Sequence, residues 1–131
     1  MENKSNNATR QRPEGERLLN APLIEMNLNK YINQIKSEST WAQSDRNSMT
    51  LFKSETMSIV LIGLHEHAEL KPHKANGMIS VQVLEGKIEF SAGQQTSLEK
   101  GQMVVLQENI PHSVKAVTES FFLLTLAINN K

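Results

Sequence analysis

The most constraining feature of the sequence is a regular spacing of turn residues in its second half. Gly86, Gly93, Gly101 and Asn109 recur every seven to eight residues, and glycine and asparagine tolerate the positive φ that tight turns require. The segments between them are short, and no helical period interrupts them. Short strands at this spacing predict an all-β sandwich or barrel.

Alternation of apolar and polar residues defines the predicted strands and the direction of their side chains. In the segment from Lys87 to Ser91, Ile88 and Phe90 share one face and point inward. By the same parity His112 points into the barrel, as a core residue with satisfied hydrogen bonds or as part of a site. The predicted strands span residues 50–53, 57–64, 78–84, 87–91, 95–98, 102–106, 112–117 and 120–127.

The sequence before the strands divides into two parts. Residues 1–17 are polar and predict a disordered tail. Residues 18–48 begin with an apolar segment, broken by Pro22, that we expect to lie as a strap on the barrel or on a neighbouring subunit. Residues 49–131 then form the predicted barrel domain.

A short helix is expected within 18–48. Asn27 is a suitable N-cap, and the helix is predicted to end near Ser37. Trp41 is predicted to anchor the following loop, 42–48, against the core. The apolar stripe that predicts the helix consists of Leu28, Tyr31, Ile32 and Ile35.

Composition narrows the classes of function. Lys plus Arg and Asp plus Glu both total 14, so no net charge favours a polyanion. The longest apolar run is too short to cross a bilayer, and the N-terminus lacks a signal-peptide core, so we expect a cytoplasmic protein that binds neither nucleic acid nor membrane. The chain has 0 cysteines, so a metal ion would need His, Asp or Glu ligands.

All four histidines fall in the predicted β region, at positions 65, 67, 73 and 112. Zinc, iron, manganese and nickel usually take three or four donors, and imidazole suits each of them. His65 and His67 are spaced to share a strand face, but they sit where a strand gives way to a polar stretch. They are therefore the weaker metal-ligand candidates.

The segments 67–86 and 101–116 resemble the two motifs of the small single-domain cupins, the cupin 2 conserved barrel family. The first motif resembles G-x5-H-x-H-x(3,4)-E-x6-G and the second G-x5-P-x-G-x2-H-x3-N. Gly86 and Gly101 match motif glycines, and His73 and His112 match motif histidines. The resemblance implies a double-stranded β-helix, or jelly-roll barrel, with a short N-terminal helix and an extended N-terminal arm. It also implies a homodimer, and we expect the strap or the edge strand 50–53 to cross or augment the partner's sheet.

The departures from the motifs concern metal binding. Metal-dependent cupins offer three His and one Glu, but Ala75 stands at the second histidine and Ile79 at the glutamate. His67 and Asn109 occupy glycine positions, and asparagine tolerates the left-handed conformation there. A divalent zinc, iron, manganese or nickel ion would therefore be weakly held by His73 and His112.

Three functions remain open from the sequence. The preferred one is a barrel whose mouth binds a small molecule near His73 and His112 through hydrogen bonds or acid–base chemistry. The second is a metal-dependent enzyme resembling a dioxygenase or isomerase, which needs His65, Glu66 or His67 as replacement ligands. The third is a non-catalytic dimeric module that uses the barrel as a scaffold.

Overall fold

The computed structural model describes the backbone of residues 4–5 and all of residues 17–129. Most of the predicted tail, 1–17, lies outside the described residues. The elements in chain order are β1 (Lys4–Ser5), β2 (Leu18–Asn20), α1 (Leu28–Ser37), α2 (Ser39–Gln43), β3 (Arg46–Lys53), β4 (Met57–Leu64), β5 (Glu69–His73), β6 (Gly77–Glu85), β7 (Lys87–Ala92), β8 (Gln94–Glu99), β9 (Met103–Leu106), β10 (His112–Ala116) and β11 (Ser120–Ile128).

Two antiparallel sheets form the barrel. The five-stranded sheet has the order β3-β4-β11-β6-β9, and the four-stranded sheet has the order β5-β10-β7-β8. Both sheets contribute side chains to one apolar cluster, which we call the barrel core. The predicted all-β barrel is confirmed. The buried residues of the barrel core are Leu64, Ala68, Ile79, Val81, Val83, Ile88, Phe90, Leu98, Val114, Ala116 and Phe122.

A second apolar cluster, the helix-side core, lies on the opposite face of the five-stranded sheet. Phe121 belongs to it while its neighbour Phe122 belongs to the barrel core, because successive side chains on β11 point to opposite faces. A Cβ on Gly63 would lie 2.5 Å from Cε1 of Phe121, so glycine lets that ring approach the sheet. The buried residues of the helix-side core are Ile32, Ile35, Trp41, Met49, Leu51, Leu61 and Phe121.

The predicted helix and its packing face are confirmed. The Asn27 side chain accepts a hydrogen bond from the amide of Lys30 at 3.1 Å and so caps α1. Ile32 and Ile35 are buried, and Leu28 and Tyr31 pack against the same cluster. The stripe therefore fixes the helix to the outer face of the five-stranded sheet.

One predicted boundary was wrong and two elements were missed. Trp41 packs in the core as expected, but it lies in a short second helix, α2, that was not predicted. The strand β3 begins at Arg46 rather than at residue 50. The strand β5 was not predicted, because Pro72 and three flanking polar residues hide its alternation. Proline is tolerated there because β5 is an edge strand of the four-stranded sheet.

The strap lies against its own barrel. Leu19 is buried, β2 contacts β3, and the Arg17 guanidinium donates to the carbonyl of Thr50. The edge formed by β3 is thus partly occupied within the same chain, while Leu18 and Leu23 remain exposed. In the part of the chain that the structure describes, no helix is long and apolar enough to span a membrane.

Candidate functional site at the barrel mouth

Two histidines face each other at one end of the barrel. His73 ends β5 and His112 begins β10, and these antiparallel strands place the two residues directly opposite each other. The centroids of the two rings are 4.3 Å apart, with an angle of 56° between the ring planes. The sequence-predicted pair is therefore brought together by strand register.

His112 forms the inner wall of the mouth. Its side chain is only 4% exposed, which confirms the inward orientation expected from strand parity. The ring stacks against Phe90 of β7, with centroids 5.7 Å apart and an interplanar angle of 18°. Its Nδ1 lies 3.0 Å from the carbonyl oxygen of Ile110, so the turn before β10 fixes the ring orientation.

His73 forms the outer rim and is oriented in the same way. Its Nδ1 lies 3.0 Å from the carbonyl oxygen of Lys71, two residues earlier in the chain. The same two-residue offset separates Ile110 from His112. Each histidine is therefore held by its own strand or turn, and the second ring nitrogen, Nε2, is left for other contacts.

The residues at the two substituted motif positions, Ala75 and Ile79, are apolar and belong to or pack against the barrel core. Ile79 is buried in the barrel core and pairs across the sheet with Leu106. Ala75 packs against the same core, and its carbonyl oxygen accepts a hydrogen bond from the amide of Asn109 at 3.0 Å. Asn109 has a φ of 62°, which confirms that asparagine replaces a turn glycine here. The two histidines are thus accompanied by apolar residues of the barrel core.

His65 lies away from this mouth, beside the helix-side core. Its Nε2 donates to the carbonyl of Trp41 at 2.7 Å, and its ring stacks on the indole with centroids 3.6 Å apart. Its Nδ1 faces the Glu119 carboxylate at 3.9 Å. His65 is therefore placed as a structural residue that fastens α2 to the sheet.

His67 is also outside the mouth. It is exposed, and its Nε2 lies 3.8 Å from Oε1 of Glu66. Its φ is 73°, as a turn position normally held by glycine requires. The expected loop role of His67 agrees with this geometry.

Comparisons with known proteins agree with the architecture. No family model matches the chain, and no curated protein does. Among solved structures, an RmlC-like cupin protein from Desulfovibrio desulfuricans is 30% identical, with a TM-score of 0.59, and the match covers 63% of this chain and 81% of that one. The chain belongs to the cupin family.

Two further structures resemble this cupin. A cupin superfamily protein from Desulfitobacterium hafniense matches 96% of this chain and 99% of its own, at 16% identity and a TM-score of 0.64. A conserved protein of unknown function from Streptococcus pyogenes is 27% identical over 68% of this chain and 79% of its own, with a TM-score of 0.63. At 16% identity, the likeness to the Desulfitobacterium hafniense protein shows a shared fold alone.

The residues at the mouth of this cupin do not fit a divalent metal ion. Zinc, iron, manganese and nickel sites usually need three or four donors, and within residues 17–129 no group of three or more His, Asp or Glu side chains could hold an ion. Ala75 and Ile79 offer no donor atom at the two substituted motif positions. His65 and His67 do not supply the replacement ligands that a metal-dependent enzyme would need.

Sequence reasoning missed the partners that orient the site. The carbonyls of Lys71 and Ile110 carry no side-chain signal, and Phe90 was predicted only to face inward. A usable signal did exist in the order of residues, since each histidine follows a proline, Pro72 or Pro111. Proline fixes φ near −65° and so restricts the backbone between each ring and the carbonyl it contacts.

Proposed function

We propose that this cupin binds a small, largely apolar molecule at the barrel mouth and that His73 and His112 supply its polar contacts. The observation that carries the proposal is the pair of facing imidazoles, each tied through Nδ1 to a backbone carbonyl and each with Nε2 left over. Ligand sites commonly combine an apolar wall with a few placed polar groups. Ala75, Ile79 and Leu106, which belong to or pack against the barrel core, are the proposed apolar part.

A fragment screen tests this proposal. Small apolar compounds with one or two polar groups are screened by thermal shift and by NMR against the protein and the variants His73→Ala and His112→Phe. The matched control is His67→Asn, which removes an exposed histidine at a position where asparagine tolerates the positive φ. We expect ligands to be lost in the first two variants and kept in the control. Ligands that bind all four proteins equally would overturn the proposal.

A metal measurement separates this proposal from a metal-dependent enzyme. The protein is purified without a metal-affinity tag, and its metal content is measured by mass spectrometry. We expect less than one ion per chain because two imidazoles offer too few ligands. Stoichiometric metal that disappears in both His73→Ala and His112→Ala would favour the enzyme instead.

We also propose that the protein is a homodimer formed through the outer face of the five-stranded sheet. The uncovered part of this face, which we call the methionine face, contains no charged side chain. It consists of Met57, Met78, Ser80, Gln82, Met103, Val105, Thr125 and Ala127. Met78, Met103 and Val105 on it are well exposed, and Val105 reaches 63%.

The proposed occupant of the methionine face is a second copy of the same face. Interface centres are depleted in charge and enriched in methionine, so an uncharged apolar face needs an equally uncharged one opposite it. The outer face of the other sheet does not qualify, because Glu69, Lys115 and Glu89 form a charged row across three of its strands. Two copies related by a two-fold axis would cover both methionine faces at once.

Light scattering tests the dimer. Val105→Lys places a charge on the methionine face, and Ser97→Lys is the control on the exposed outer face of the four-stranded sheet. We expect the protein and Ser97→Lys to be dimers at micromolar concentration and Val105→Lys to be a folded monomer. A monomeric wild-type protein, or a dimer that survives Val105→Lys, would contradict this interface.

A further inference from the structure

The hydrogen bonds at the barrel mouth determine the tautomer of both histidines. A backbone carbonyl oxygen can only accept a hydrogen bond, so the Nδ1 atoms that face the carbonyls of Lys71 and Ile110 at 3.0 Å must carry the protons. In a neutral imidazole the other nitrogen is then an acceptor. Nε2 of both His73 and His112 therefore presents a lone pair.

These lone pairs are not used by other groups of the described residues. Within the described residues neither Nε2 has a hydrogen-bond partner, yet no buried side-chain nitrogen or oxygen there lacks one. The Nε2 atom of His112 is therefore not completely buried, although the residue as a whole is 4% exposed. The two rings are close enough, at 4.3 Å between centroids, for one ligand to contact both acceptors.

We infer that the ligand of this site carries two neighbouring hydrogen-bond donors, as a vicinal diol does, on an apolar body. This inference rests on the proposed function. Two acceptors form hydrogen bonds with hydroxyl or N–H groups and repel the oxygen lone pairs of an ether or a carboxylate. Because Ile79, Ala75 and Leu106 belong to or pack against the barrel core, the body of the ligand is inferred to be apolar.

Four compounds with one ring size and different polar groups provide the test. They are cyclohexane-1,2-diol, cyclohexanol, methoxycyclohexane and cyclohexanecarboxylate, and their dissociation constants are measured at pH 8 from shifts of the histidine ring signals in NMR spectra. We expect affinity to rise about three- to tenfold with each donor, so that the diol binds tightest and the carboxylate weakest. In His73→Phe and His112→Phe the advantage of the diol over cyclohexanol should disappear.

The ¹⁵N spectrum of the imidazole rings tests the tautomer directly. We expect a protonated Nδ1 and an unprotonated Nε2 in both His73 and His112. Protonated Nε2 in both neutral rings, or tightest binding of cyclohexanecarboxylate at the mouth, would overturn the donor inference and leave the proposed function standing. If none of the four compounds shifts the ring signals, the inference is wrong. If the fragment screen also yields no ligand, the proposed function is wrong as well.

Discussion

The two apolar clusters on either side of the five-stranded sheet differ in the hydrogen bonds of the polar side chains beside them. At the edge of the helix-side core the polar groups bond to one another or to the backbone. Nε2 of His65 donates to the Trp41 carbonyl, and the Asn47 amide donates to Oε1 of Glu38 at 2.9 Å and to the Ile35 carbonyl at 3.2 Å. At the edge of the barrel core, His73 and His112 each form a hydrogen bond through Nδ1, and the Nε2 of each has no hydrogen-bond partner in the described residues.

The difference separates structural polar groups from binding groups. A buried polar group whose capacity is fully used stabilises the fold, because leaving it unpaired would be costly. Unused capacity at an opening is available to a ligand. By this criterion Asn47 belongs to the scaffold and His112 to the site. His65 is assigned to the scaffold because its Nε2 joins α2 to the sheet, although it stacks on an aromatic ring as His112 does.

The largest expected effects come from one aromatic residue in each cluster. Phe121→Ala and Phe90→Ala should each lower the free energy of unfolding by about 3–5 kcal/mol, because each removes a buried ring. Denaturant unfolding measures this loss. Only Phe90→Ala should also shift the NMR signals of the His112 ring, which it contacts. Equal shifts in both variants would show that the clusters are not independent.

The next effect compares two buried polar residues. Asn47→Leu leaves the buried carboxylate of Glu38 without the Asn47 donor and should cost about 1–3 kcal/mol or more. His112→Phe leaves only the carbonyl of Ile110 without its partner, on an exposed residue, and should cost about 1 kcal/mol or less. Chemical denaturation of both variants checks the order. A larger loss for His112→Phe would make His112 part of the scaffold.

A smaller effect is expected at His65. His65→Phe keeps the stacking on Trp41 but removes the donor to the Trp41 carbonyl, and should cost about 1 kcal/mol. The tryptophan fluorescence, which has a single source in this chain, should change with it. His67→Asn should leave stability and fluorescence unchanged. If His65→Phe abolished ligand binding at the mouth, His65 could not be assigned to the scaffold alone.

The smallest effect concerns an exposed ion pair beside His65. The hydrogen bond from the Arg46 side chain lowers the pKa of Asp45. A carboxyl group with a lowered pKa in the folded state stabilises the fold above its unfolded pKa, and this contribution is lost as the pH falls through the folded value. Arg46→Met should raise the pKa of Asp45 toward its usual value, as measured by NMR titration. The histidine signals at the mouth should not change.

Local patterns in the sequence were sufficient to predict an all-β sandwich or barrel, and the motif resemblance added the jelly-roll fold. The turn spacing from Gly86 to Asn109 and the alternation around His112 depend on neighbouring residues, so the barrel and the inward histidine could be inferred directly. The positive φ of Asn109 followed from its place in the motif. These features depend on backbone geometry that a few adjacent residues determine.

Long-range contacts limited what could be predicted about the site. The hydrogen bond of His65 to the Trp41 carbonyl joins residues 24 positions apart, and no local pattern near His65 predicts it. The strand β5 was missed because Pro72 interrupts its pattern, so the facing of His73 and His112 came from the motif resemblance and from the structure. The tautomers depend on backbone carbonyls, which the sequence does not distinguish.

The hydrogen bond from the amide of Asn109 to the carbonyl of Ala75 joins the turn that follows His73 to the turn that precedes His112. The two segments that carry the histidines are thus held together twice, by the pairing of β5 with β10 and by this bond between turns. The spacing of the two rings is therefore a property of the backbone, and a ligand has to match that spacing.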